Sequence, residues 1–280
     1  MDALRAPAIF TGFLLLTLVC APVQWVALKL ALPARTRIPV FYHRMLCRLI
    51  GIRIRVVGTP IKEGGLMLAN HNGWLDIVLL SSLSPLSFVA KSEVNDWPLF
   101  GLLARLQRTI FVRRGEKRRA ASDRDAIRDR LKAGEILVIF AEGTSSDGNR
   151  VLPFKSALVG AAELPLENSG PTRHAPVQPV SIAYVASYGI PMGRETRPLY
   201  AWYGDMDLLP HLWGVFATGP LDVVIEFHPP VTVDEVGGRK QLASHAEGRV
   251  RAGLMHALHG AQMPSVLLAE AHPEDEEEAA

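Results

Sequence analysis

Hydrophobic positions fall into three regimes along the chain. Residues 6–28 contain no charged side chain, and a helix of about 20 predominantly apolar residues is long enough to cross a bilayer. Pro22 predicts a kink, so a straight span and a bent re-entrant helix are both open. Next, the stretch Pro39–Ile54 sets Phe41, Tyr42, Met45, Leu46, Leu49 and Ile50 among basic residues, which predicts an amphipathic helix on an anionic membrane surface. Beyond it, short apolar runs alternate with helical stretches. Strands are expected at 53–57, 66–69, 87–90, 109–112, 136–140, 177–183 and 223–227, and helices at 74–83, 120–133 (stopped at Gly134) and 239–258. Strands that are apolar throughout, with no polar face, are buried on both sides. The fold class is therefore α/β: a mixed, largely parallel sheet flanked by helices, behind an N-terminal membrane-anchoring helical segment. The expected division is 1–52 for the anchor and basic helix, 53–262 for the α/β domain and 263–280 for a tail.

Charge gives the anchor a direction. The chain of 280 residues carries a formal net charge of only +2, but Lys29, Arg35, Arg37, Arg44, Arg48, Arg53 and Arg55 follow the apolar run and only Arg5 precedes it. The positive-inside rule then places the bulk of the chain on the cytoplasmic side of the inner membrane. A cleaved signal peptide is the competing reading; the run is longer than a signal core and an Arg-rich segment follows it directly. The tail, with Glu274-Asp275-Glu276-Glu277-Glu278, is expected to be solvated and disordered. Cys20 and Cys47 form no CxxC and have no ligand spacing, which speaks against a disulfide framework or structural zinc. His256 and His259 are read as helix surface. No cofactor, metal or nucleic-acid partner is expected.

The chemistry begins at Asn70-His71-Asn72-Gly73-Trp74-Leu75-Asp76, directly after a strand-like run. An imidazole takes a proton from an alcohol, and a carboxylate holds that imidazole in the right tautomer. Positions i and i+5 of one helix point apart. His71 is therefore expected in a turn before a helix, with Asp76 in its first turn folding back. The plain alternative is a turn histidine followed by a first-turn aspartate favoured by the helix dipole.

A second cluster leaves the strand at 136–140 as Ala141-Glu142-Gly143-Thr144-Ser145-Ser146-Asp147-Gly148. In open α/β sheets, ligands gather beyond the carboxyl ends of strands. Glu142, Gly143 and Thr144 are candidates there, with Arg150 and Lys155 to meet an anionic head group; the alternative has Glu142 capping local backbone N–H groups. Arg113 and Arg114, ending the strand at 109–112, are a candidate phosphate or carboxylate clamp.

Together, in this order, the segments resemble the glycerolipid (lysophospholipid) acyltransferases, which include the 1-acylglycerol-3-phosphate acyltransferases. The family's N-H-x-S/G-x-x-D block resembles Asn70 to Asp76. Its I-F-x-x-R strand resembles Ile110 to Arg114, its F-P-E-G-T-R block Phe140 to Ser145, and its apolar strand with a central proline Val177 to Ile182 with Pro179. The resemblance implies direct transfer of a fatty acyl group from an acyl carrier protein or coenzyme A thioester to a lysolipid hydroxyl at the membrane. His71 would be general base and Asp76 its orienting partner, with no covalent intermediate. Three positions depart from the pattern: Ala141 for proline, Arg108 for glycine and Ser145 for arginine. The last removes a residue expected to hold the acceptor's phosphate, and the E-G-T-S-S-D-G run resembles the lyso-ornithine lipid branch. A lipid hydrolase using the same pair, and a non-catalytic membrane scaffold, are the alternatives. Backbone N–H groups near His71 or Gly143 are the expected oxyanion donors.

Overall fold

The computed structural model describes residues 4–113, 120–164 and 174–260. Arg114, the tail and most of the expected loop at 166–176 lie outside them.

The strands are β1 (Ile52–Gly58), β2 (Gly65–Ala69), β3 (Ser87–Lys91), β4 (Ile110–Val112), β5 (Ile136–Phe140), β6 (Val177–Ser187), β7 (Ile190–Pro191) and β8 (Leu221–Phe227). Among the described residues they form one sheet, ordered β1-β8-β6-β2-β5-β3-β4, with β7 against the end of β6. The five strands from β6 to β4 are parallel; β8 pairs antiparallel to β6, and β1 parallel to β8. Every residue of β2 is buried, as its lack of a polar face requires.

Strand alternation divides the core in two. Met67, Ala69, Val138, Val180, Ile182 and Tyr184 point to one face. There they meet α1 (Arg5–Lys29), α2 (Arg37–Ile50), α3 (Trp74–Leu83) and α7 (Leu208–Thr218), with α4 (Phe100–Leu106) at the margin. Leu66, Leu68, Leu137, Ile139 and Ala183 point to the other, against α5 (Ala120–Lys132), α6 (Ser156–Val159), α8 (Val233–Val236) and α9 (Arg239–Gly260).

The N-terminal helices belong to this core. Ala6, Ile9, Phe13, Thr17, Cys20, Gln24 and Ala27 are buried along the whole length of α1. Arg5 bonds the carbonyls of Phe216 and Ile50, and Gln24 Nε2 bonds that of Leu106 at 2.9 Å. Pro22 is accommodated within α1. The amphipathic helix stops earlier than its pattern suggested: Gly51 (φ +84°) closes α2 in the left-handed conformation that glycine tolerates best, and β1 follows at once. Its apolar side packs on protein, with Tyr42, His43, Leu46, Cys47 and Ile50 buried. An amphipathic pattern reports that a face is covered, not what covers it.

Candidate active site

β2 and β5 are neighbours in register, with Ala69 opposite Phe140. β2 runs on into α3 on one face, whereas β5 runs on to α6 on the other. Chains that leave adjacent parallel strands in opposite directions open a crevice at the strand ends, and both sequence clusters emerge there.

The histidine segment is fixed at nearly every polar atom. Asn70 Oδ1 accepts from Ile182 N at 2.8 Å, and its Nδ2 donates to Ile182 O at 2.9 Å, pinning the turn to β6. Asn72 O accepts from Trp202 N at 2.8 Å. Gly73 has φ +147°, and a Cβ there would lie 2.8 Å from Trp202 N, so the turn has no room for a side chain. The chain then enters α3 with Asp76 in the first turn. His71 Nδ1 donates to Asp76 Oδ2 at 2.9 Å. The same oxygen accepts from Asn72 N at 2.6 Å and Gly73 N at 3.1 Å, and Asp76 Oδ1 accepts from Tyr184 Oη at 2.8 Å. A buried carboxylate costs several kcal/mol unless hydrogen bonds compensate it; Asp76, fully buried, has four.

That bond leaves the proton on Nδ1 and the lone pair on Nε2, to which no described residue bonds. The His71 ring is 19% exposed and lies on Phe140, centroids 3.9 Å apart and planes at 16°. Phe140 in turn stacks on Phe88 at 5.9 Å. Phe88 and Trp74 line an apolar cavity of about 180 Å³ bounded also by Phe13, Tyr42, Leu103 and Phe216. His71 is thus linked through the Phe140 ring to Phe88, which lines this apolar cavity.

Glu142 is buried and turned inward. Its Oε2 accepts from His71 N at 3.1 Å and its Oε1 from Leu152 N at 2.9 Å. Burial pushes its carboxyl up to about 8; the two N–H groups pull it down, and the Asp76 and Glu247 carboxylates add to the rise. Of the two readings given above, substrate contact and backbone capping, these bonds show the second: Glu142 holds the backbone of His71. Ser146 N donates to His71 O at 2.8 Å, so the E-G-T turn clamps that residue from both sides. Gly143 has φ +72°, with the Lys155 side chain packed across it. Thr144 and Arg150 are exposed on the same loop.

The structure therefore brings His71, Asp76, Glu142, Gly143, Thr144 and Lys155 to one place. It does not bring Arg113, which leaves β4 three strands from β2 and lines a different cavity. Among the backbone N–H groups near His71 and Gly143, the expected oxyanion donors, His71 N is engaged by Glu142, Asn72 N by Asp76, and Gly143 N by Phe140 O at 3.0 Å. Two departures from the motif pattern gain a cause. Ala141 N donates to Ala69 O at 3.2 Å, a bond proline would lack. Arg108, where glycine is usual, has φ +63° and pairs with Glu135. Tyr184 was missed altogether: it lies 108 residues from Asp76 in a uniformly buried strand, with no local signal.

The chain belongs to the acyltransferase family. The family's model matches residues 53–183. Among named relatives, a lyso-ornithine lipid O-acyltransferase of Brucella abortus is 47% identical over 94% of this chain and 99% of its own length. That of Rhizobium meliloti is 45% identical over 88% and 84%. A 1-acyl-sn-glycerol-3-phosphate acyltransferase of Neisseria gonorrhoeae is 32% identical over 70% and 72%. The fold is shared with the crystal structure of the 1-acyl-sn-glycerophosphate acyltransferase of Thermotoga maritima, with TM-score 0.62 over 91% of this chain and 97% of that one, at 21% identity.

Proposed function

We propose that this enzyme transfers a fatty acyl group from an acyl carrier protein or coenzyme A thioester to the free hydroxyl of lyso-ornithine lipid, with His71 as general base. The observation that carries the reading is the 2.9 Å bond from His71 Nδ1 to Asp76, which leaves Nε2 with no hydrogen-bond partner among the described residues. The lysolipid oxygen attacks the thioester carbonyl carbon as its proton passes to Nε2. The tetrahedral adduct collapses with cleavage of the C–S bond. The imidazolium returns its proton to the departing sulfur, giving the O-acyl lipid and the free thiol. Asp76 stabilises the imidazolium between those steps.

The named relatives support the acceptor, and so does Ser145. A lysophosphatidate would call for a cation at that position, and this chain offers a hydroxyl. Membrane association rests on α1. One side is buried against the domain along its length, while Leu14, Leu15, Leu18, Val19, Trp25 and Val26 are exposed opposite. That exposed apolar side can face lipid, and the helix is long and apolar enough to cross a bilayer. The basic residues after it put the domain at the cytoplasmic face of the inner membrane.

The test is acyl transfer by the purified protein in mixed micelles, with lyso-ornithine lipid and lysophosphatidate offered together. Preferential acylation of the former is expected, and Ser145→Arg shifts the ratio toward lysophosphatidate. Acylation of lysophosphatidate alone by the wild type contradicts the acceptor, and release of free fatty acid without transfer contradicts the reaction.

A further inference from the structure

A further cavity, of about 530 Å³, opens at the amino edge of the sheet, where β3, β4 and β5 begin. Its size falls within the roughly 300–1,000 Å³ of small-molecule sites. His71 follows the carboxyl end of β2, so the length of a strand, about 13 Å for the five residues of β5, lies between the two. Arg35, Lys62 and Arg108 line this cavity, with one carboxylate, Glu135. That carboxylate is already shared: Arg108 bonds one oxygen and Arg130 the other. Arg130 also donates to Ser87 Oγ, on the cavity wall, at 2.9 Å. Among the described residues no second carboxylate pairs with any of the four cations. Their mutual repulsion registers at Arg130: burial lowers its pKa, Glu135 opposes that, and Arg108 and Arg35 lower it further.

We infer that this cavity holds the phosphate of an anionic membrane phospholipid, at a site separate from the catalytic one. The inference rests on the membrane association proposed above and not on the identity of the acceptor. Arg108 joins the cluster at a conformational cost: its φ of +63° crowds a β-carbon against the backbone, at a position where glycine is usual. Gln24 Nε2 of α1 donates to Arg35 O and to Leu106 O, at 2.9 Å each. The anchor helix thus holds together the two chain segments that carry Arg35 and Arg108. Helix α2 starts in the wall at Thr36 and Pro39, with no acid in its first turn, so the positive end of its dipole is not neutralised there. Ser84, whose hydroxyl has no hydrogen-bond partner among the described residues, lines the same wall. A free phosphate would meet the same cations; the neighbouring surface favours the lipid. Arg35 N donates to Leu32 O at 3.1 Å, and Leu30 and Leu32 are 64% and 41% exposed, where the apolar side of α1 ends. Acyl chains therefore find apolar surface within a turn of the phosphate. A choline head group adds an ammonium that the surrounding cations repel.

The test is native mass spectrometry of the full chain in nonionic detergent, with phosphatidylglycerol, phosphatidylcholine or inorganic phosphate added. The wild type is expected to retain phosphatidylglycerol about tenfold more tightly than phosphatidylcholine, a comparison that needs no variant. Arg35→Gln and Arg108→Gly each weaken that retention about tenfold, the second without strain because glycine tolerates the positive φ. Arg37→Gln, an exposed neighbour outside the cavity, stays within about twofold of wild type. The inference is overturned by equal retention of the two lipids, by unchanged retention in either cavity variant, or by an equal loss in Arg37→Gln (which marks diffuse attraction to anionic lipid). Displacement of the lipid by lyso-ornithine lipid (which marks the catalytic site), or by equimolar inorganic phosphate (which marks a free anion as the ligand), overturns it as well. Each of those outcomes leaves membrane association intact. That reading is tested apart by flotation: protein that floats neither with phosphatidylcholine vesicles nor with vesicles of phosphatidylcholine and phosphatidylglycerol in equal parts fails the underlying reading instead.

Discussion

Two histidine–carboxylate–hydroxyl trios hang from one strand, on opposite faces of the sheet. β6 gives Tyr184 Oη to Asp76 at 2.8 Å on the α3 side, and Ser181 Oγ to His228 Nε2 at 2.7 Å on the α9 side. Glu226 Oε1 lies 3.3 Å from His228 Nδ1. By residue type, the second trio looks the more hydrolytic: serine, histidine, acid. Its surroundings deny it that role. Ser181 and His228 are 1% and 4% exposed, and Ser181 Oγ donates its proton to Val250 O of α9 at 3.0 Å. The helix passes so close that a Cβ on Gly253 would lie 2.4 Å from that oxygen. No substrate reaches the imidazole. The first trio keeps its acid buried and one imidazole nitrogen open. On the proposed function, access to Nε2, rather than the list of side chains, is what separates His71 from His228.

Exchanging equivalent groups sharpens that contrast. Asp76→Asn is expected to lower kcat by about 10²–10⁴-fold through the wrong imidazole tautomer, whereas Glu226→Gln leaves kcat within about twofold; steady-state assays of both variants check this. Tyr184→Phe removes one of four bonds to Asp76, worth about 1.5 kcal/mol, and lowers kcat by roughly tenfold at most. Gly253→Ala forces α9 off the sheet and costs about 1–3 kcal/mol in denaturant unfolding, with kcat of the folded fraction preserved.

The pH dependence of stability separates the two sites as well, and its sign differs between them. Burial lowers the His228 pKa; Arg249 adds to the lowering, and Glu226 opposes it. The unfolded imidazole therefore takes up its proton first, and stability falls as pH drops below about 6.5. Glu142, raised by burial to about 8, holds its proton longer in the folded state. Its contribution is complete at acidic pH and fades as pH climbs from the ordinary carboxyl range, about 4.3, through about 8. Unfolding curves across that range show His228→Asn flattening the acid side and Glu142→Gln flattening the other.

Much of the first trio was legible in the chain and almost none of the second. His71 and Asp76 are five residues apart, and a strand–turn–helix reading brings them together. Glu142 and Gly143 were legible because strand ends in α/β sheets point at ligands. Tyr184, Ser181 and His228 depend on which strands are neighbours, and a single sequence gives no register. Glu142 was left between two readings for a related reason: an acid at a strand end can face a ligand or the backbone beside it, and the sequence does not show the turn closing against His71. For α2 the pattern was right and the partner different, since protein and lipid cover an apolar face equally well.

The most direct test is the initial rate of acyl transfer to lyso-ornithine lipid by His71→Ala, measured beside Ser181→Ala in the same micelles, with circular dichroism to show that both are folded. The account predicts that the first loses about 10²–10⁴-fold in rate and the second stays near wild type. A folded His71→Ala enzyme that keeps its rate, or a Ser181→Ala enzyme that loses it, contradicts the account.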